Sequence, residues 1–174
     1  KLPACHLEGI FSGANTFDCS EQESKVRYSF ARVNAADDFE SLQDDVAWNV
    51  LGHRYLLKAE SVATFCFETL DPPGTFVPLH VHPHQDEFIF VIEGVMDLQL
   101  GEAKLQAHAG DLVRMPRGVP HSYANNQARA ARALFWVSPA GRLRELFDRL
   151  HDLTDVGEVV RHSAECEVDF MPPA

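Results

Sequence analysis

Residues 80 to 94 read HVHPHQDEFIFVIEG: three histidines, one aspartate and two glutamates beside a run of aromatic and branched apolar residues. In a strand, side chains two apart share a face, so His80 and His82 project together, both inward or both outward. Glu87 follows across the short PHQD turn, and it can lie beside the two imidazoles if the two stretches pair as neighbouring strands. A further imidazole, His121, comes just after the turn at Pro116 and Gly118 in GDLVRMPRGVPHSYANN. Two same-face imidazoles, one from a distant strand and a carboxylate make a ligand set for a divalent transition metal, with water or substrate completing the coordination. The competing reading is a set of satisfied polar core residues that hold no metal. Burying three imidazoles and a carboxylate unpaired is expensive, which favours the metal.

The elements that must carry these residues are short. VRYSFARV, VAWNVL, RYLLKAE, SVATFCFETL, TFVPLHVH, EFIFVIEG, VMDLQLG, AKLQAHAG, DLVRMP and ARALFWVS read as strands, rich in Val, Phe, Tyr and Leu and often alternating. Turn signals such as DPPG, AGD, PRG and NNQ stand between them. Strands at this spacing without helices between them indicate an all-β sandwich or barrel. Residues 1–25 show no periodicity and read as an irregular arm, 26–137 as the β-barrel, and 138–174 as a helical segment and tail. In SPAGRLRELFDRLHDL, Ser138 is the expected N-cap and Pro139 the first helical residue. Leu143, Leu146, Phe147 and Leu150 form a helical stripe, Glu145 and Arg149 a pair one turn apart. DVGEVVRHSAEC is a second, weaker helix. Both are expected to pack outside the β-core.

The 174 residues suit one domain with a sizeable core. A formal net charge of -11 argues against nucleic acid and against an anionic membrane as partners. No apolar run reaches the roughly 20 residues of a membrane helix, and the first residues lack the charged-then-apolar pattern of a secretory signal. Cys5, Cys19, Cys66 and Cys166 form no C-x-x-C pair; a Cys5–Cys19 disulfide is conceivable, but idle thiols in a cytoplasmic protein are the expected reading. His84 reads as a solvated loop residue, and His6, His53, His108, His151 and His162 as surface residues.

The segment Gly74-x5-His80-x-His82-x4-Glu87-x6-Gly94 resembles the first motif of the cupin superfamily position for position. Gly110-x5-Pro116-x-Gly118-x2-His121-x3-Asn125 resembles its second motif in the same way. The resemblance implies a jelly-roll β-barrel or sandwich with the C-terminal helices outside, and one divalent metal (Fe, Ni, Mn, Co, Cu or Zn) held by His80, His82, Glu87 and His121. The PPG before the first motif, the SPAG…ELF helix and the closing VDFMPP are similar to small single-domain cupins of the quercetin 2,3-dioxygenase-like group. That narrower likeness implies a dioxygenase acting on a small aromatic or enolisable molecule, with dioxygen as co-substrate and Glu87 as base. Strand alternation makes Phe76, Ile89, Val91, Tyr123 and Asn125 the expected pocket lining. A metal-dependent lyase or isomerase that moves a proton through Glu87, and a small-ligand sensor without catalysis, remain the alternatives. More strands than a minimal barrel needs, one of them free to cover a partner's sheet edge, make a homodimer the expected assembly.

Overall fold

The computed structural model describes residues 47–172. The expected arm over 1–25, the VRYSFARV strand, His6, Cys5 and Cys19 lie outside the described residues. In order come β1 (Ala47–Val50), β2 (His53–Ser61), β3 (Thr64–Asp71), β4 (Phe76–Val81), β5 (Asp86–Glu93), β6 (Val95–Leu100), β7 (Ala103–His108), β8 (Leu112–Met115), β9 (His121–Ala124) and β10 (Ala131–Ser138). Helices α1 (Leu143–Leu150) and α2 (Val156–Glu165) follow, then a two-residue strand β11 (Asp169–Phe170).

The strands form two antiparallel sheets, ordered β1-β2-β3-β10-β5-β8 and β11-β4-β9-β6-β7. This is the all-β jelly-roll sandwich expected from the sequence. Alternation sets what each strand buries. On β10, Ala131, Ala133, Phe135 and Val137 enter the core while their neighbours stay partly exposed. On β5, Glu87, Ile89 and Val91 turn inward together. Phe67 of β3 stacks on Phe135 of β10 with ring centroids 5.4 Å apart, and Tyr123 of β9 tilts against Phe135 from the opposite sheet at 4.9 Å. The first contact lies within one sheet, and the second joins the two layers.

Several expectations change. HVH and EFIFVIE are not neighbours: β4 pairs with β9 and β11, β5 with β8 and β10. A tight hairpin would keep both strands in one sheet, but His82–Gln85 crosses between the layers, tied by Gly118 N–H donating to the His82 carbonyl at 2.9 Å. In SVATFCFETL, Val62 and Ala63 form a turn, and the strand starts at Thr64. His121–Ala124, read only as chain re-entering the barrel, is a strand between β4 and β6.

Ser138 is not a helix cap. The ladder of β10 against β5 runs on through Ser138 opposite Asp86, and the Ser138 hydroxyl donates to the Ala63 carbonyl at 3.0 Å. Pro139 therefore precedes the helix, which begins at Leu143 with Arg142 in the cap position. The stripe itself is as read: Leu143, Leu146, Phe147 and Leu150 are all buried, and Arg149 pairs with Glu145. The helices lie outside the two sheets, but the stripe closes one mouth of the sandwich. The Phe147 ring stands 4.9 Å from Tyr55, 5.0 Å from Phe67 and 5.4 Å from Trp48. Trp48 Nε1–H donates to Asp148 at 2.8 Å, fixing α1 on β1. In α2 the Asp155 carboxylate accepts from Glu158 N–H at 3.0 Å, an N-cap of the usual kind. β11 then returns the chain to the edge of the five-stranded sheet beside β4. Among the described residues no helix is long and apolar enough to cross a membrane.

Candidate metal centre

The centre begins with a proline. Pro78 has no N–H to give the β4–β9 ladder, and the register slips by one residue between Val77 and His80. This bulge leaves the Pro78 carbonyl free to accept from His80 Nδ1 at 2.8 Å and puts His80 directly opposite His121. His121 Nδ1 is bound in the same manner by the Val119 carbonyl at 3.0 Å, and His82 Nδ1 by Gln85 Oε1 at 2.9 Å. A carbonyl oxygen only accepts, so each Nδ1 carries the hydrogen and each Nε2 is left as the inner atom. Outer partners that fix tautomer and ring orientation in this way accompany metal-binding histidines generally.

Glu87 arrives from the facing sheet. Its Oε2 lies 2.8 Å from His121 Nε2 and 3.4 Å from His82 Nε2. The ligand atoms of His80, His82, Glu87 and His121 all lie within 4.8 Å of one another, and all four residues are buried. Four converging donors, three nitrogens and an oxygen with outer bonds already made, fit a divalent transition metal. The structure brings the four residues singled out in the sequence together, by a route across the sandwich and not along one sheet.

The charges agree with the geometry. Burial pushes the His80 imidazole down to about 3, helped by the neighbouring His121 and His82, so it is neutral. Burial alone would raise Glu87, but the hydrogen bond from His121 and the electrostatic pull of the surrounding imidazoles bring it down to about 2. Burial opposes protonation of His121, yet its bond to Glu87, the Glu87 charge and the Val119 carbonyl raise it above the usual imidazole range. Without a metal, Glu87 and His121 are thus a buried ion pair.

Other polar residues at the same cavity were missed in the sequence. His53, read as a surface residue, is buried: its Nδ1 lies 2.6 Å from Asp71 Oδ1 and its Nε2 3.2 Å from the Phe76 carbonyl. Thr69 donates to the second Asp71 oxygen at 2.6 Å. Next to them the Tyr55 and Tyr123 hydroxyls meet at 3.1 Å, both pushed upward chiefly by burial. The available signal was the spacing of His53 and Tyr55, two apart at the start of a strand. Gln85 was also missed. Its Nε2 donates to the Pro139 and Ala140 carbonyls at 2.9 and 2.6 Å, so the residue that orients His82 is itself clamped by the entry to α1. Gly141 allows this: a Cβ there would stand 2.7 Å from Gln85 Nε2, and its φ of +54° is one L side chains rarely adopt.

The cluster opens into a cavity of about 90 Å³. His80, His82 and Glu87 form its polar floor; Leu143, Leu146, Phe147 and Leu150 form the lid, with Val159 and Ser163 of α2 beside them. Of the expected lining, Phe76 and Tyr123 are present. Ile89 and Val91 are not, because they point inward further along β5 and are fully enclosed by the core. Asn125 is also absent: its amide is spent on the Asp71 and Arg129 carbonyls at 2.8 Å each, holding a turn. His84, His108 and His151 are exposed as expected, and His162 is half-buried on α2.

A family model described as Cupin domain matches residues 67–137, a span that contains all four cluster residues. Polyketide synthase CurC of Streptomyces cyaneus is 30% identical over 67 residues, covering 38% of this chain and 44% of that protein. Tetracenomycin polyketide synthase protein TcmJ of Streptomyces glaucescens is 28% identical over 74 residues, 42% of this chain and 50% of that protein. Quercetin 2,3-dioxygenase of Bacillus subtilis (strain 168) is 40% identical over 50 residues, 29% of this chain and 15% of that protein. The chain spans half or less of the length of these relatives. Among solved structures, TT1209 of Thermus thermophilus superposes with a TM-score of 0.52 at 23% identity, over 59% of this chain and 95% of that one. An RmlC-like cupin of Shewanella frigidimarina NCIMB 400 gives 0.52 at 14% identity, over 66% and 96%. These two share the fold.

Proposed function

This chain belongs to the cupin superfamily, and on that premise we propose that it is a metal-dependent dioxygenase for a small aromatic or enolisable molecule. One observation carries the metal: three imidazoles with Nδ1 tied to carbonyl oxygens and Nε2 converging on Glu87 at the floor of an apolar cavity. The dioxygenase reading rests further on the partial likeness to quercetin 2,3-dioxygenase.

His80, His82, Glu87 and His121 would hold one divalent metal. When bound, the metal supplies Lewis acidity that lowers the pKa of a substrate hydroxyl at its open position. The lid residues Leu146, Phe147 and Leu150 keep water from the reacting oxygen. His82 and His121 approach Glu87 at Oε2, and Oε1 would accept the substrate proton. The carboxylate is ionised already without the metal, and it would take the proton of a hydroxyl that the metal makes acidic. Glu87 then keeps that proton at Oε1 and holds the substrate oxygen by hydrogen bond.

A proton-moving lyase or isomerase is the second reading; the two polyketide-synthase relatives match more of this chain than the dioxygenase does. Oxygen uptake with a panel of β-diketones and hydroxylated aromatics separates the two. Uptake in step with substrate loss supports the dioxygenase; product without uptake establishes the second reading. Turnover per bound metal should fall about 10²–10⁴-fold in Glu87→Gln, and equal turnover would leave Glu87 a ligand only.

The same reading includes a homodimer. Phe90 of β5 and Leu112 of β8 face each other across the ladder and are exposed, next to exposed Ile92 and the stacked Phe88–Trp136 pair. A second copy would cover this outer face; a monomeric mass by light scattering at micromolar concentration would contradict it. The free thiols Cys66 and Cys166 fit a reducing, cytoplasmic compartment.

A further inference from the structure

Two buried side-chain polar atoms among the described residues have no hydrogen-bond partner, His162 Nδ1 and Ser163 Oγ. They differ in surroundings. His162 is half-buried beside Glu158 and Glu165, with its Nδ1 3.6 Å from a Glu165 oxygen, and it does not line the cavity. Ser163 is 1% exposed and does line the cavity, on the same face of α2 as Val159 one turn earlier.

A serine inside a helix ordinarily satisfies its hydroxyl on the carbonyl four residues back. Ser163 makes no such bond to Val159. Its backbone is well fixed, since the Ser163 carbonyl accepts from Cys166 N–H at 3.0 Å and Val168 N–H at 2.9 Å. A buried hydroxyl without a partner, in a cavity otherwise lined at this end by Val159, Val168, Leu146 and Leu150, costs free energy that an alanine would not. The loss is recovered only if something in the cavity brings a polar atom to it. The other polar lining groups outside the floor are already engaged: His53 with Asp71, Tyr55 with Tyr123.

We propose that Ser163 is a substrate-binding residue, and that the cavity takes a small oxygenated molecule with two separated oxygen functions, one at the His80–His82–Glu87 floor and one at α2. At about 90 Å³ the cavity is well below the roughly 300–1,000 Å³ of sites for drug-sized ligands. The occupant is therefore a single ring or short chain. This inference rests on the reading that the floor holds a metal and a substrate oxygen. It makes α2 part of the specificity apparatus, acting on which molecule is bound and not on the reacting atoms.

The test is a cycle of two ligands and two proteins, read by calorimetry on the full chain loaded with zinc, which does no redox chemistry. The ligands are 4-(hydroxymethyl)catechol and its near-isostere 4-ethylcatechol; the proteins are wild type and Ser163→Ala. The ratio of affinities for the hydroxymethyl over the ethyl ligand should fall about five- to tenfold in Ser163→Ala, the size of one neutral hydrogen bond. The melting temperature of unliganded Ser163→Ala should match or exceed that of wild type. An unchanged ratio, a melting temperature several degrees lower, or failure of wild type to bind either catechol would each overturn the proposal. Repeating the cycle without zinc separates it from the metal reading. If the ratio still falls on substitution while zinc makes no difference to either affinity, Ser163 binds the ligand and the metal reading fails.

Discussion

The floor and the lid of the cavity solve the same enclosure problem with different chemistry. The floor comes from the sheets: His80, His82 and Glu87 line it, His121 is buried in the same cluster, and each ring is turned by a bond to a carbonyl outside the cluster. The lid comes from the helices and is apolar, with Leu143, Leu146, Phe147 and Leu150 packed on Trp48, Tyr55, Phe65 and Phe67. Direction matters at the floor, because a few tenths of an ångström or a ring flip removes a donor. At the lid, volume and water exclusion matter, and stability comes from buried area. The difference teaches where each kind of damage should register: lid changes in folding, floor changes in metal affinity.

The largest expected effect is at the lid. Phe147→Ala removes a ring in contact with four aromatic side chains and should cost about 3–5 kcal/mol, lowering the melting temperature by more than about 10 °C. Metal bound per folded chain should not change. A variant that folds normally but binds no metal would break the division between lid and floor.

The next effect is one of pH, confined to the floor. Glu87 goes from 4.5 to about 2 on folding without metal, so its contribution is present above pH 4.5 and is lost as pH falls toward 2. His121, raised above 6.5, contributes below 6.5 and loses its contribution as pH rises through its folded value. In denaturant titrations of metal-free protein, the gap between wild type and Glu87→Gln should narrow from pH 4.5 downward. The gap between wild type and Phe147→Ala should hardly depend on pH. Two gaps that close together would show that the ion pair contributes nothing of its own.

Gln85 sharpens the contrast, since it touches both regions: it orients His82 and is held by Pro139 and Ala140. Gln85→Ala should weaken metal binding about 10–100-fold, or about 1.4–2.7 kcal/mol, by competition with a chelator of known affinity. Unchanged affinity would mean that His82 holds its tautomer without help. The smallest effect is Asp155→Ala at the start of α2, about 1 kcal/mol for the lost cap, with no change in metal affinity.

Much of the floor was legible from spacing. His80 and His82 had to share a face, and the alternation of EFIFVIE put Glu87 with Ile89 and Val91 on the inner side. Which sheet each strand joins was not legible, because pairing partners depend on loops such as His82–Gln85, which is held by Gly118, Pro139 and Ala140 from far along the chain. His53 escaped for the same reason: nothing local announces that Asp71, in what reads as a turn, will bury with it. The helical stripe of α1 was plain in the sequence. That it faces the cavity was not, since periodicity says which side is apolar and not what lies opposite. Ser138 misled because a serine before a proline resembles a cap when the extension of the preceding strand is unseen.

The central claim is that His80, His82, Glu87 and His121 together hold one divalent metal. Its most direct test is elemental analysis of the purified full chain after supply of each candidate metal and removal of excess, beside His82→Ala, His121→Ala and a melting curve for each. The account predicts close to one equivalent in wild type, well under half an equivalent in both folded variants, and a higher melting temperature for loaded than for metal-free wild type. Full metal retention in His82→Ala and His121→Ala would contradict it.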